Sequence, residues 1–326
     1  MMDIAQSLGI SKSTVSKALN GAPDISETTR NTIVQRAVEM GYTRGRRSPS
    51  LPRICIFVMH MRYETPEDFG YDIVMGFRHL AEPAGFRVDI INLDEGTQQS
   101  IQYDEYMLRN DYRGAFFLGI NNSDPWIDSV KGSHTATILF DNPTFENHRL
   151  TQVGVDNTEA LNLAVSHLWQ LGHRRIGYLS SGSADAYIYQ QRHHAFIAAI
   201  QQYTADVPIT GAADYTTDCI STHLPRLLDS GCTAIVCNHD ILAQAVLTHC
   251  AETGIRVPED VSVIGYDDIP LCQFTRPPLT TVRQNRLQLG KSAFYALQCQ
   301  LNNTPINQLT LHAELTVRGS TGPAKA

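Results

Sequence analysis

Residues 3–20, Asp3-Ile-Ala-Gln-Ser-Leu-Gly-Ile-Ser-Lys-Ser-Thr-Val-Ser-Lys-Ala-Leu-Asn20, restrict the fold more than any other stretch of this chain. Ile4, Ala5 and Leu8 recur at helical spacing, which predicts a short amphipathic helix over Asp3–Leu8. Gly9 supplies the positive φ that ends it, and Ile10 can plug the gap between two helices. Ser11 reads as the N-cap of a second helix, its hydroxyl facing a free backbone N–H. On that helix Val15, Ala18 and Leu19 turn inward, leaving Lys12, Ser13, Ser16 and Lys17 outside. Two readings fit this pattern: a helix-turn-helix that enters the major groove, or an ordinary helical hairpin with a solvated Ser/Lys side. The chain begins abruptly at Met1-Met2, without the few residues that normally cap such a first helix. That leaves a start further upstream, or a first helix that frays.

Ile10-Ser-Lys-Ser-Thr-Val-Ser-Lys-Ala-Leu-Asn20, followed by Ile25-Ser-Glu-Thr-Thr-Arg30 and Met40-Gly-Tyr42, closely resembles the DNA-binding headpiece of the lactose/galactose-repressor family. The resemblance implies a recognition helix at the second position and a third helix, about Glu27–Met40, closing a three-helix core. Ile33, Val34, Ala37 and Met40 give that third helix its buried stripe. By position, the family's base-reading residues fall on Lys12, Ser13 and Lys17. A lysine donates to guanine as a point charge rather than through the fork of an arginine. Ser11, Ser16, Asn20, Thr29 and Tyr42 match positions that hold phosphates, which fix register without reading sequence.

A net charge of −7 over 326 residues argues by itself against a nucleic-acid binder, but the charge is unevenly placed. Residues 1–53 hold eight Lys/Arg against four Asp/Glu, and the remainder 18 against 29. A basic head on an acidic body is the distribution expected if only the head meets phosphate; without the motif, chance clustering over fifty residues is the alternative. The seven cysteines lack any C-x-x-C pairing and mostly sit in apolar runs such as Ile54-Cys-Ile-Phe-Val58, so they read as core thiols in a reducing compartment. No signal peptide and no apolar run of about 18 residues is present, which predicts a soluble cytoplasmic chain without a membrane partner.

Head (1–43) and body (54–319) are joined by a linker over 44–53 rich in Arg, Ser and Pro. The family places a longer segment with a hinge helix here. This one is several residues too short, and Pro49 and Pro52 interrupt such a helix. Arg44, Arg46 and Arg47 therefore read as an extended arm for a narrow A·T-rich minor groove, or as a solvated tether.

From Ile54 onward, apolar strand-like runs alternate with helical patterns, predicting doubly wound parallel sheets. Strands are expected over Ile54–Met59, Arg87–Leu93, Gly114–Leu118, Thr137–Phe140, Ile176–Ser180, Ala234–Cys237 and Val261–Tyr266. Helices are expected near Tyr71–Ala84, Thr158–Leu171, Tyr189–Tyr203, Ile241–Thr253 and Arg286–Leu301. No G-x-G-x-x-G follows a strand and no P-loop is present, so no nucleotide cofactor is implied. The ordered segments Val155-Asp-Asn157, His167–Ile176, Val257–Asp268 and Pro278–Val282 are similar to the periplasmic-binding-protein-type effector domain of the same family. That resemblance implies a two-lobed α/β body whose chain crosses between lobes near 155–158, 282–286 and 312–314. Lobe one then takes 54–156 with 284–312, lobe two takes 157–283 with 313–319, and 320–326 reads as a disordered tail.

A sugar-binding cleft needs carboxylates for hydroxyl hydrogens, a fork donor and an aromatic face. Asp141 and Asp267 follow predicted strands, and Arg192 lies in a helical stretch; each matches a ligand-contacting position of the family. The plainer readings are an Asx turn with Asn142-Pro143 for Asp141, and an inter-lobe ion pair for Arg192. Phe69 stands where the family has an aromatic, and His239 where it usually has Asn, which puts the ligand in question and suggests pH sensitivity. Phe274 either stacks on a ring or packs as core. The other histidines form no metal spacing.

The sequence therefore predicts a sequence-specific regulator of carbohydrate-metabolism genes, a repressor binding pseudo-palindromic double-stranded operator DNA as a homodimer and controlled by a small sugar held between its lobes. A purine or sugar phosphate is the alternative effector. A sugar-binding transport protein is the alternative class, opposed by the basic head and the missing secretion signal. No nucleophile elbow or metal cluster supports an enzyme, and the lack of leucine heptads favours a dimer over a tetramer.

Overall fold

The computed structural model describes residues 1–42, 51–142 and 146–325. The expected arm residues Arg44, Arg46 and Arg47 lie outside the described residues. Three helices open the chain: α1 (Met2–Leu8), α2 (Lys12–Leu19) and α3 (Glu27–Glu39). Gly9 ends α1 in the left-handed region at φ 64°, while Met1 offers no side-chain cap at its start. Ser11 and Ser26 cap α2 and α3 by accepting from the Thr14 and Thr29 N–H groups at 3.1 and 3.2 Å. Ile4, Ala5, Val15, Ala18, Leu19, Ile33, Val34 and Ala37 form the helical core.

The body begins with β1 (Arg53–Val58), α4 (Phe69–Ala81), β2 (Arg87–Asn92), α5 (Glu95–Ser100), α6 (Tyr103–Arg109), β3 (Tyr112–Leu118), α7 (Ile127–Lys131), β4 (Ala136–Phe140) and β5 (Leu150–Val155). It continues with α8 (Asn157–Gln170), β6 (Ile176–Ser181), α9 (Tyr187–Gln201) and β7 (Thr210–Ala213). Helices α10 (Thr216–Asp218) and α11 (Leu224–Asp229) follow, joined by a π-helical turn. Next come β8 (Ala234–Cys237), α12 (Asp240–Thr253), β9 (Ser262–Asp267), β10 (Thr280–Arg283), α13 (Arg286–Leu301), β11 (Gln308–Leu311) and β12 (Glu314–Thr316).

The chain divides into two compact units. The first comprises 1–61, 73–153 and 290–309. Its sheet runs β11-β5-β4-β3-β1-β2, with parallel ladders from β2 to β5. Strand β1 is buried from Ile54 to Val58, because helices cover both faces of a parallel sheet. Phe57, Tyr103 and Trp126 meet edge-on or tilted at 5.4–6.3 Å and fill one layer. The helical head is seated on this unit: Leu108 of α6 is buried in the head's own core. Arg109 donates from Nη2 to Asn31 Oδ1 at 2.7 Å. Gly41, at φ 62°, lets the backbone approach the His134 ring, where a Cβ would stand 3.0 Å from it.

The second unit comprises 62–72, 154–289 and 310–326, with a sheet of order β12-β10-β9-β8-β6-β7. Its ladders are parallel except for β12, which runs antiparallel to β10. Two expectations need correction. Segment 62–72, assigned above to the first lobe, belongs to the second unit: Phe69 packs on its Leu/Val/Cys core, and Asp72 stands 3.1 Å from the Arg286 guanidinium. The tail over 320–326 is ordered through Lys325 rather than disordered. Ser320 is fully buried, accepts from Thr280 N–H at 2.8 Å and donates to Val263 O at 2.6 Å. Ala324 N–H reaches Leu171 O at 2.8 Å. Hydroxyl and backbone hydrogen bonds hold this segment, and no hydrophobic pattern announces them.

All seven cysteines are free, six of them buried. Among the described residues no helix is long and apolar enough to cross a membrane.

Candidate functional site

On the head, α2 turns Val15, Ala18 and Leu19 into the core and leaves Lys12, Ser13 and Lys17 exposed, with Ser16 half-buried. The hydroxyls form a local net: Ser11 Oγ lies 2.7 Å from Ser13 Oγ and 2.8 Å from Thr14 Oγ1, while Asn20 donates to Ser16 Oγ at 3.3 Å. Thr29 Oγ1 meets Ser26 Oγ at 2.8 Å, and Tyr42 is half-buried beside the head core. These groups form a polar surface able to meet phosphate. Lys17 departs from the simple expectation, because its ammonium is paired with Asp24, and the bonded Lys17 holds the Asp24 carboxyl below its ordinary range. A partner anion must compete with that carboxylate.

In the second unit a polar face gathers at the C-terminal ends of the parallel strands, where α/β sheets hold ligands. Asp267 ends β9 at φ 117°, a strained angle for a residue with a side chain. Its Oδ1 accepts from Gln284 Nε2 at 2.7 Å and stands 3.5 Å from Arg192 Nη2. Arg192, on α9 and only 4% exposed, donates from Nη1 to Asn238 O at 2.6 Å. Its guanidinium lies 3.8 Å over the Tyr266 ring. Burial pushes the Asp267 carboxyl up, against the opposing pull of Arg192 and Gln284. Gln284 Oε1 is buried without a protein partner, leaving one acceptor unused beside the pair.

Beneath this pair, Asp240 is buried and accepts from Thr281 Oγ1 at 2.6 Å and from Ile269 N–H at 2.9 Å, tying down the loop after β9. Burial, then the neighbouring Asp267 charge, pushes its carboxyl up to about 7. His239 takes the N-cap of α12: Nδ1 accepts from Leu242 N–H at 3.1 Å, and Nε2 meets Ser181 Oγ at 2.9 Å. An unprotonated Nδ1 makes Nε2–H the donor to Ser181. Burial, then the Arg192 cation, lowers this ring to about 4.

The structure thus brings Arg192, Asp267 and His239 to one face of the second unit. Phe69 begins α4 in the same unit, half-buried, with the Arg286 guanidinium 6.0 Å from its ring centroid. Phe274 is 77% exposed, which removes the expectation that it packs as core. Asp141 belongs to the first unit, at the end of β4, with φ 51° and 8% exposure. Asn142 beside it donates to Ile120 O and Phe140 O. The sequence reading missed Gln284, Tyr266 and the supporting roles of Asn238 and Asp240. Gln284 was findable, lying two residues past the Pro278–Val282 segment already singled out. Among the described residues no group of His, Cys, Asp and Glu could hold a metal ion.

Residues 1–45 match the model of bacterial regulatory proteins of the lacI family, and residues 165–321 match that of a periplasmic-binding-protein-like domain. The HTH-type transcriptional regulator MalR of Streptomyces coelicolor is 28% identical over 99% of this chain and 97% of its own length. The HTH-type transcriptional repressor CytR of Escherichia coli is 29% identical over 98% of this chain and 96% of its own. Among solved structures, the regulator CelR in complex with cellobiose aligns at TM-score 0.71 and 23% identity, over 97% of this chain and 98% of that one. The Lac repressor dimer bound to operator and the anti-inducer ONPF aligns at 0.68 and 21%, over 98% of both chains. Those identities show the fold, while the sequence relatives are named as transcriptional regulators rather than enzymes. With a matching head, a matching body and regulators aligned end to end, the chain belongs to the LacI family and is a DNA-binding transcriptional regulator.

Proposed function

We propose that this regulator is a homodimeric repressor of carbohydrate-metabolism genes whose operator affinity is set by a small sugar. Lys12, Ser13 and Lys17 read base edges, and Ser11, Ser16, Asn20, Thr29 and Tyr42 hold phosphates. Two heads act as a pair, because one three-helix module buries little surface on DNA. The sugar is held by Arg192 and Asp267, with Gln284 as a third polar contact and His239, Phe69 and Phe274 as neighbours. Asp141 enters this proposal through the family resemblance alone. The observation that carries the reading is the buried Arg192–Asp267 pair, held in place by Asn238, Tyr266 and Gln284. A fixed fork of donors beside a carboxylate is the set that pairs with adjacent sugar hydroxyls without rearrangement. Cellobiose in the CelR complex is a ligand of the same chemical class.

A thermal-shift screen of the purified protein against sugars, sugar phosphates and purines tests this, since a ligand that binds only the folded state raises the melting temperature. A neutral sugar is expected to raise it, and Asp267→Ala to abolish the rise while operator affinity survives. A rise with sugar phosphates or purines alone replaces the sugar. Retention of the sugar response by Asp267→Ala removes the assignment of the site.

A further inference from the structure

We propose that the groove between helix α9 and edge strand β7 is a second small-molecule site, taking an uncharged, hydroxyl-bearing ring compound of monosaccharide size. Side chains alternate along β6, so Tyr178 and Ser180 share one face, and their register partners on β7 are Thr210 and Ala212. Both partners are exposed. Helix α9 walls the groove with Tyr189 and His193. The cavity measures about 330 Å³, within the range that holds a small ligand.

Its floor carries the decisive observation. The Tyr178 side chain is fully buried, stacked on Phe196 at 4.9 Å, and its hydroxyl has no hydrogen-bond partner in the protein. Buried hydroxyls are almost always bonded, so this orphan, on a side chain that lines the groove, is a donor left unspent. Burial holds the Tyr178 phenol far above its ordinary range, which keeps it a neutral donor. Gly182 faces the ring of Tyr189, where any Cβ would collide with it, so the groove wall depends on that glycine. No Lys or Arg lines the groove, and Asp214 stands on its rim. Anions therefore find no counter-charge in the lining, whereas a polyol meets the Ser180 and Thr210 hydroxyls beside Tyr189 and His193. Asp267, Arg192 and Gln284 are not part of this lining. Helix α9 nonetheless carries Arg192 between Tyr189 and His193, so an occupant braces the helix that presents the Arg192–Asp267 pair.

The test uses the full chain carrying Asp267→Ala, with binding read by saturation-transfer NMR and melting temperature. The probes are D-glucose, D-ribose and myo-inositol, with glucose 6-phosphate as the anionic control. At least one neutral probe is expected to bind, to lose tenfold or more in affinity with Tyr178→Phe or the groove-filling Ala212→Trp, and to outcompete the phosphate. Without any probe, Tyr178→Phe raises the melting temperature, because it deletes a hydroxyl that has no partner. The proposal is overturned if no neutral probe binds Asp267→Ala protein, if Ala212→Trp leaves binding intact, or if Tyr178→Phe lowers the melting temperature. Binding to wild type that Asp267→Ala alone removes would support the site proposed above and sink this one.

Discussion

His239 caps α12 with a ring nitrogen, and an imidazole in that position ties the cap to pH. Protonating Nδ1 would turn the acceptor for Leu242 N–H into a second donor. It would also place a cation beside Arg192 and at the positive end of a helix. The folded-state value of about 4 lies below the ordinary histidine value of about 6.5, so the unfolded chain binds more protons between them. Stability present above about pH 6.5 is therefore lost as pH falls toward 4, by on the order of 3 kcal/mol. Asp240 acts in the opposite sense. Its carboxyl is raised from 3.8 to about 7, so the stability it contributes is full below 3.8 and lost as pH rises through 7. Urea unfolding between pH 4 and 8 separates the two. Because the two slopes oppose each other between about pH 4 and 6.5, His239→Asn, which keeps a capping oxygen, should expose a fall in stability with rising pH there, and Asp240→Asn should expose a rise. An unchanged profile in both variants would contradict these assignments.

At the level of elements, α2 offers its cations under restraint, since Lys17 already has an anionic partner in Asp24. Removing that partner frees Lys17 and deletes a negative charge beside the proposed DNA surface. Asp24→Asn should then tighten operator binding and steepen its salt dependence, while Lys17→Ala should weaken it and flatten the slope by about one unit. Gel shifts at several salt concentrations read both; equal slopes in the two variants would remove Lys17 from the interface. The head was legible because its signals are local. Ser11 bonds three residues ahead, Gly9 bends the chain next to the helix it ends, and the apolar period is complete within eighteen residues. The α9–β9 face was legible only in part. Asp267 is visible at the end of an apolar run, but the Gln284, Asn238 and Tyr266 contacts join strands far apart in sequence, which periodicity does not report. For the same reason the sequence does not report that both nitrogens of His239 are engaged, one capping α12 and the other holding Ser181.

For the whole molecule, a regulator must pass information from body to head, and the seating of the head on α6 offers a route besides the linker. Leu108 is 5% exposed and belongs to the head's hydrophobic core, while Arg109 holds Asn31 of α3. Because α3 rather than α2 faces the body, the surface carrying Lys12, Ser13 and Lys17 stays exposed. Truncating Leu108 to Ala removes buried apolar volume shared by head and body, at a cost of about 2–5 kcal/mol to their joint packing. In the proposed dimer the two heads must present α2 one helical turn of DNA apart, ~34 Å. A head loosened from α6 pays an ordering entropy on binding, so Leu108→Ala with Arg109→Ala should reduce operator affinity severalfold. Binding of the proposed sugar, read by melting of the body, should persist, but its effect on operator affinity should shrink, since the α6 contact no longer ties the head to the first unit. Gel shifts with and without the sugar measure both quantities. Full operator affinity and a full sugar response in the double variant would assign the coupling to the linker instead.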